Sequence, residues 1–212
     1  MRYLLTAIFI AVFQVLSFAQ DPILIRAQQQ RDRQKELMKN LVYSYNTVSY
    51  ICQLDKTGLI EKSDTVISWH KLKGDSLLES RIISATNKKH QKEQGQSNDQ
   101  ENIELPKFND PKYEFSVNQA DGRITFKPVK PKKGDLAGTV RYSPDEIFLQ
   151  EINITMPKLK GPVNEFNMKV EFTRIEEFLF PSKICMQAGW NALISKGRIR
   201  VESSNSDYQI YK

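Results

Sequence analysis

The sequence predicts a mainly β protein with one N-terminal helix and about ten antiparallel strands. Apolar and polar side chains alternate in the second half, most regularly from Phe166 to Phe172. This period of two is typical of a strand with one buried and one solvated face. Short turns rich in Gly, Asp and Pro separate such runs, as in a meander. A helix-start signal, Asp21 followed by Pro22, precedes these strands.

Residues 1–19 have the pattern of a secretory signal peptide. Arg2 precedes an almost wholly apolar run from Tyr3 to Phe18, and Ser17 and Ala19 are small residues placed for cleavage near Ala19. The run is short for a membrane span. We therefore expect export to the periplasm or the extracellular space. An uncleaved N-terminal anchor is the alternative interpretation.

The charge balance is mildly basic, with 31 Lys and Arg against 25 Asp and Glu. Cleavage removes only Arg2, so 30 basic residues remain. Export argues against a nucleic-acid partner, because nucleic acid is scarce outside the cytoplasm. A basic exported protein instead suits peripheral contact with anionic membranes, or simply solubility.

Residues 20–212 are predicted to form a single domain that opens with a helix over residues 22–42. Asp21 is a capping residue, and Pro22 suits the first helical position. Apolar residues recur at spacings of three and four near both ends, but residues 28–36 hold none. We expect the helix ends to pack against the domain and its middle to face water. A partner-binding or membrane-surface helix is the alternative.

The rest of the chain is predicted to be strands joined by short turns. The runs are 43–54, 63–72, 77–85, 113–117, 123–128, 136–142, 147–156, 166–175, 180–187 and 195–202. A short helix is expected around 188–193. Strict alternation in the seventh run places Leu149 on the face opposite Ile152. Residues 87–102 have no apolar side chain, which predicts a mobile loop, or alternatively a lid or partner tail.

The two cysteines, Cys52 and Cys185, fall in different predicted strands. An oxidising compartment permits a disulfide between them, which in the chain-entropy model would stabilise the fold by about 4–5 kcal/mol. Two separate thiols, packed as small apolar groups, are the alternative. Sequence spacing alone does not decide between them.

No catalytic, metal-binding or cofactor-binding motif is found in the sequence. The chain has two histidines, His70 and His90, without zinc-ligand spacing. Glu176 and Glu177 are adjacent, so on a strand they would point to opposite faces and make a poor acid–base pair. We therefore expect a protein that is not an enzyme.

A set of short motifs resembles the second half of the outer-membrane-lipoprotein-carrier-like (LolA-like) superfamily of exported proteins. The motifs are Phe126-Lys127-Pro128, Gly138-Thr139-Val140-Arg141-Tyr142, Ile152-Asn153-Ile154, Val170-Glu171-Phe172 and Phe180-Pro181. The resemblance covers roughly residues 43–202. It implies a strongly curved antiparallel sheet forming an unclosed half-barrel, with helices against the concave side. Relatives with this fold carry acyl chains of lipoproteins, or sense envelope stress by binding lipoprotein or lipopolysaccharide.

A half-barrel with so little helix to cover it would leave an apolar groove for a lipid or lipoprotein acyl chain. The aromatic residues expected to line this groove are Tyr50, Trp69, Phe126, Phe148 and Phe166. The alternative is that these side chains pack in the core. The lysines near one hairpin tip are candidates for contact with anionic headgroups: Lys127, Lys130, Lys132 and Lys133. A solvated turn is their alternative role. A structural or regulatory envelope protein that binds a protein partner is the other functional interpretation.

Overall fold

The computed structural model of the protein describes residues 21–87, 104–143, 148–192 and 195–211. One helix, α1, spans Pro22–Met38. Ten strands follow in chain order: β1 Val42–Leu54, β2 Ile60–Lys73, β3 Ser76–Ala85, β4 Tyr113–Asn118, β5 Arg123–Pro128, β6 Ala137–Tyr142, β7 Leu149–Thr155, β8 Val163–Ile175, β9 Phe178–Asn191 and β10 Lys196–Tyr211. No helix within the described ranges combines the length and the apolar character needed to cross a bilayer.

All ten strands belong to one antiparallel sheet with the order β3-β2-β1-β10-β9-β8-β7-β6-β5-β4. The chain forms two meanders, β1 to β3 and β4 to β10, which join where β1 pairs with β10. Strands β3 and β4 are the two edges, so the sheet is not closed. The predicted fold class, a mainly β half-barrel of about ten strands with a leading helix, is confirmed.

Helix α1 packs on one face of the sheet, which we call the inner face. Near its start, Leu24 and Ala27 are buried with Phe108 and the inner-face residues of β5 to β7. Near its end, Leu37 and Met38 pack against a second cluster around Tyr43 and two phenylalanines of β9. The prediction that the helix lies against the domain by its two ends agrees with these contacts.

The start of α1 has the capping geometry that the sequence indicated. The carboxylate of Asp21 accepts a hydrogen bond from the backbone N–H of Ile23 at 2.8 Å, and Pro22 occupies the first turn. The end differs from the expected boundary at residue 42. The helix ends at Met38 because Val42 already pairs with both Lys73 and Tyr211 in the sheet. Sheet pairing therefore replaces the last helical turn that the apolar spacing suggested.

The short helix expected around 188–193 is wrong. Ala188 to Asn191 form the end of β9, where Trp190 pairs with Val163 on one side and Gly197 on the other. A Cβ atom at Gly189 would lie 2.5 Å from the Asn164 side chain, so a close strand approach explains this glycine. Residues 193 and 194 lie outside the described ranges.

A β-bulge changes which face of β7 meets the core. Arg141 pairs with Glu151 whereas Tyr142 pairs with Leu149, so Gln150 is an extra residue in β7. Leu149 consequently packs against the same cluster as Ile152. The prediction from strict alternation, that Leu149 faces away from Ile152, is therefore wrong.

Three sequence predictions fall on residues outside the described ranges. These are the signal peptide 1–19 with its cleavage near Ala19, the first mature residue, and the mobile loop 87–102 apart from Asn87. Residues 104–112 pack against α1, where Arg31 donates to the carbonyl oxygens of Leu105 and Pro106.

Candidate functional site

Adjoining the first of these clusters, the inner face presents an apolar surface that is only partly covered. The register aligns Met168 with Met186, Met186 with Val201, and Val201 with Ile51, across β8, β9, β10 and β1. All four side chains are half-buried. Four neighbouring strands span about 14 Å at the usual spacing. This width suits an extended hydrocarbon chain lying across the strands.

Adjoining rows widen this surface. We define the apolar stripe as the half-buried apolar side chains on the inner face of β1, β8, β9 and β10: Ile51, Phe166, Met168, Ile184, Met186, Ala188, Ile199 and Val201. Two methionines at its centre are flexible and polarizable, which lets an apolar surface adapt to differently shaped ligands.

The inner face changes character next to the stripe, toward β2 and β3. We define the hydroxyl band as the polar inner-face residues of β1, β2, β3 and β10 there: Thr47, Ser49, Ser68, His70, Ser80, Ser203 and Asn205. These residues bond to one another. The hydroxyls of Ser49 and Ser203 lie 2.8 Å apart, and Thr47 donates to the amide oxygen of Asn205 at 2.9 Å.

His70 lies within the hydroxyl band between two serines. Its Nε2 atom is 2.7 Å from the Ser68 hydroxyl, and its Nδ1 atom is 3.0 Å from the Ser80 hydroxyl. The ring also packs 5.3 Å from the ring of Tyr45. Burial lowers the pKa of His70, so the imidazole is neutral at pH 7. This environment presents hydrogen-bonding groups without a positive charge.

A tyrosine cluster closes the far end of the hydroxyl band. Tyr45 stacks on Tyr208 at 5.1 Å, and Tyr208 stacks on Phe180 at 4.5 Å. Burial raises the pKa of Tyr43, Tyr45 and Tyr208 above the usual value for tyrosine. These phenols remain protonated at neutral pH and serve as donors and packing surface.

The outer face of β6 to β8 carries a network of paired charges. The Glu151 carboxylate accepts from Lys169 Nζ at 2.9 Å and lies 3.6 Å from Arg141, while Lys169 also reaches Glu171 at 2.9 Å. Burial tends to raise the pKa of Glu151, but hydrogen bonds from Lys169 and Asn153 and the nearby positive charges lower it overall. This network borders an open depression of about 570 Å³. Its charges are already matched, so we assign no ligand to it.

The five aromatic residues predicted to line a groove do not share one surface. Phe126 and Phe166 both belong to the helix-covered cluster on the inner face, with Phe126 fully buried and Phe166 half-buried. Tyr50 and Trp69 lie on the outer face, because their strand positions are one residue out of phase with inner-face Ile51 and His70. Trp69 there contacts the guanidinium of Arg81. A groove lined by all five is therefore wrong.

Phe148, the fifth of these residues, borders two open depressions. One is the depression beside Glu151, and the other, of about 220 Å³, lies between α1 and β9 beside Gln34 and Leu179. Phe166 alone among the five contributes to the apolar stripe. The residues that the sequence analysis missed, such as Met186 and Val201, show the alternating pattern of their strands, but their adjacency depends on strand pairing.

The four lysines proposed for headgroup contact are all exposed around the β5–β6 turn. Lys127 forms an ion pair with Glu114 at 2.9 Å across β4 and β5. The backbone N–H of Lys132 donates to the Asp135 carboxylate, which shapes the turn. All four lysines, including Lys130 and Lys133, remain predicted contacts to anionic lipid.

Cys52 and Cys185 are free thiols. Strand β10 lies between β1 and β9, so the two backbones are separated by two strand spacings, about 9.5 Å. A disulfide needs Cα atoms within about 7 Å. The structure therefore favours the alternative of two separate thiols, with Cys52 fully buried and Cys185 half-buried.

Among the described residues, no group of three or more His, Cys, Asp or Glu side chains is arranged to hold a metal ion.

Comparisons with known proteins gave a similarity to a solved structure. No protein-family model matches the chain, and no curated protein matches it. The crystal structure of a LolA superfamily protein from Nitrosomonas europaea is similar at a TM-score of 0.38 and 12% identity, over 88% of this chain and 94% of that chain.

Proposed function

We propose that this protein is an exported binding protein that holds a lipid or an acyl chain against the apolar stripe of its inner face. The observation that supports the proposal is the partial exposure of the stripe. Apolar side chains from four adjacent strands, among them Met186 and Val201, keep surface available although they lie on the helix-covered face. Burial of that surface by a hydrocarbon chain would be favourable, at about 25 cal/mol per Å².

Export is part of the proposal and is supported by the signal-peptide pattern of residues 1–19. An apolar ligand that must cross an aqueous compartment needs a protein surface that shields it. The half-open sheet suits reversible loading, because the ligand reaches the stripe without passing through a closed barrel. The exposed lysines of the β5–β6 turn, including Lys130 and Lys133, suit approach to an anionic membrane during loading.

A direct test is binding of a fluorescent apolar probe, followed by displacement with lauric acid, using protein purified after expression of the full chain. Val201→Glu places a charge on the stripe and should weaken binding at least about tenfold. Val48→Glu is the matched control, because Val48 lies on β1 at the outer face and is 43% exposed. Unfolding curves of both variants show whether the fold is kept.

The two outcomes that contradict the proposal are distinct. If the unaltered protein takes up neither the probe nor lauric acid, the binding function is lost. If it binds both and folded Val201→Glu binds equally well, the stripe is not the site.

A protein partner is the second candidate function, and the exposed edge of the sheet favours it. Strand β3 is an edge strand on which Leu78 and Ile83 are 54% and 61% exposed. Unpaired strand edges accept extended segments of other chains. Capture of a partner from envelope extracts that survives removal of lipid, and that Ile83→Lys abolishes, would favour this function.

A further inference from the structure

We infer that the hydroxyl band is a headgroup subsite that selects amphiphiles with an uncharged, hydroxyl-bearing head such as glycerol or a sugar. The inference rests on the proposed function, because the hydrocarbon part of the ligand would occupy the apolar stripe. The two surfaces are contiguous. Along β1 the inner face passes from Ile51 to Ser49 and Thr47, and along β10 from Val201 to Ser203.

The band has hydrogen-bonding capacity that its internal bonds do not use. In the pair formed by Ser49 and Ser203, one hydroxyl donates and the other accepts, so the accepting hydroxyl keeps its own hydrogen for a further acceptor. Both residues are half-buried and border the stripe. A neutral imidazole likewise donates through one nitrogen only, so one of the serines bonded to His70 donates and the other accepts.

The charges around the band disfavour an anionic head. The inner-face rows of β1, β2, β3 and β10 from Ile51 to Tyr45 contain neither lysine nor arginine. The charged side chain that adjoins them is Asp64, which pairs with Ile51 and is half-buried. A phosphate or sulfate placed in the band would lie near this carboxylate, and these rows offer it neither a lysine nor an arginine as a partner. A polyol head would find hydrogen-bond donors and acceptors in the band for its own hydroxyl groups.

The test compares two amphiphiles with the same twelve-carbon chain, the neutral dodecyl glucoside and the anionic dodecyl phosphate, below their micelle concentrations. Binding to the unaltered protein is measured by displacement of a fluorescent apolar probe. We expect the glucoside to bind about tenfold more tightly, which corresponds to about 1.4 kcal/mol at 25 °C. This comparison needs no variant and therefore does not depend on the folding of one.

A variant tests whether the hydroxyl band causes this preference. The double change Ser49→Ala with Ser203→Ala should weaken binding of the glucoside and leave binding of the other amphiphile unchanged. The two affinities then become similar, because the apolar stripe that binds the hydrocarbon chain is unaltered. Ser204→Ala is the matched control, since Ser204 is the next residue of β10 and is exposed on the outer face. It should keep the tenfold preference.

The results that overturn the inference are separable from those that overturn the proposed function. Equal binding of both amphiphiles, or an unchanged preference in the folded double variant, overturns the headgroup subsite alone. Binding of neither amphiphile nor lauric acid overturns the proposed function and this inference with it.

Discussion

The hydroxyl of Tyr208 donates a hydrogen bond to the carbonyl oxygen of Pro181 where strands β9 and β10 separate. Pairing between these strands ends at Ser204 and Lys183, and Lys183 lies two residues after Pro181 in β9. The side-chain amide of Asn205 donates to the same carbonyl at 3.0 Å. Tyr208 and Asn205 thus donate to a backbone carbonyl oxygen that lies beyond the last paired residues of β9 and β10. The tyrosine cluster is fixed to the sheet at this point.

Tyr208→Phe should lower the free energy of unfolding by about 1 kcal/mol. The variant removes one donor to Pro181 but keeps the ring that stacks on Phe180, and Asn205 still satisfies the carbonyl. Urea unfolding measures the change, with Tyr50→Phe on the exposed outer face as the control. A loss above about 3 kcal/mol would contradict this assignment, because it would mean that the ring packing had also failed.

A bulge in the pairing of β10 with β1 places Tyr208 on the inner face. Ser44 pairs with Gln209 and Asn46 with Ser206, so Tyr45 faces two residues of β10 rather than one. Asp207 takes a positive φ of 54°, and its carboxylate accepts from the Asn46 amide at 2.9 Å. The shift brings Tyr208 into phase with Tyr45. Such a change of phase is not visible in a pattern of apolar and polar residues.

Strand identity was predictable because the period of two is a local property of each segment. The candidate site was less predictable, because it depends on which strands are neighbours. The pairing of β1 with β10 joins residues far apart in the sequence, such as Ile51 and Val201. Without that pairing, aromatic residues such as Trp69 and Phe126 looked equally suited to a groove, although they lie on opposite faces.

Phe108→Ala should destabilise the protein by about 3–5 kcal/mol, the usual range for a buried phenylalanine. Phe108 is 1% exposed, makes an edge contact with Phe115 at 5.7 Å, and its backbone N–H donates to Gln28 on α1. Its removal leaves a cavity between the helix and the sheet. Urea unfolding tests this, and Leu59→Ala, at a residue 69% exposed, is the control. Equal small losses in both variants would contradict the packing of residues 104–112 under α1.

Gly138→Ala should destabilise the sheet by about 1–3 kcal/mol through overpacking. A Cβ atom at this position would lie 1.9 Å from the backbone oxygen of Asn153 on the paired strand β7, and a backbone atom has little room to move. Gly161→Ala is the contrasting variant. No atom lies within 4 Å of its Cβ position, but its φ of +62° disfavours a side chain. Thermal unfolding should therefore show the larger loss at Gly138, and the reverse order would contradict the close approach of β6 and β7.

His70 should make stability fall as the pH drops below the usual histidine pKa of about 6.5. Burial lowers the pKa of His70 in the folded protein, so the unfolded chain binds the proton first and protonation favours unfolding. Above that pH both states are neutral and the group contributes no pH dependence. The loss grows as the pH falls toward the lower pKa of the folded state, and is constant below it.

The His70→Gln variant should flatten this dependence in urea unfolding curves recorded from about pH 5 to 7.5, the range around the ordinary histidine pKa. Glutamine keeps a donor and an acceptor for Ser68 and Ser80 but does not titrate. His90→Gln is the control, because the chain has only these two histidines. If the slope survives in His70→Gln and disappears in His90→Gln, the titration belongs to His90 and the buried, neutral state assigned to His70 is wrong.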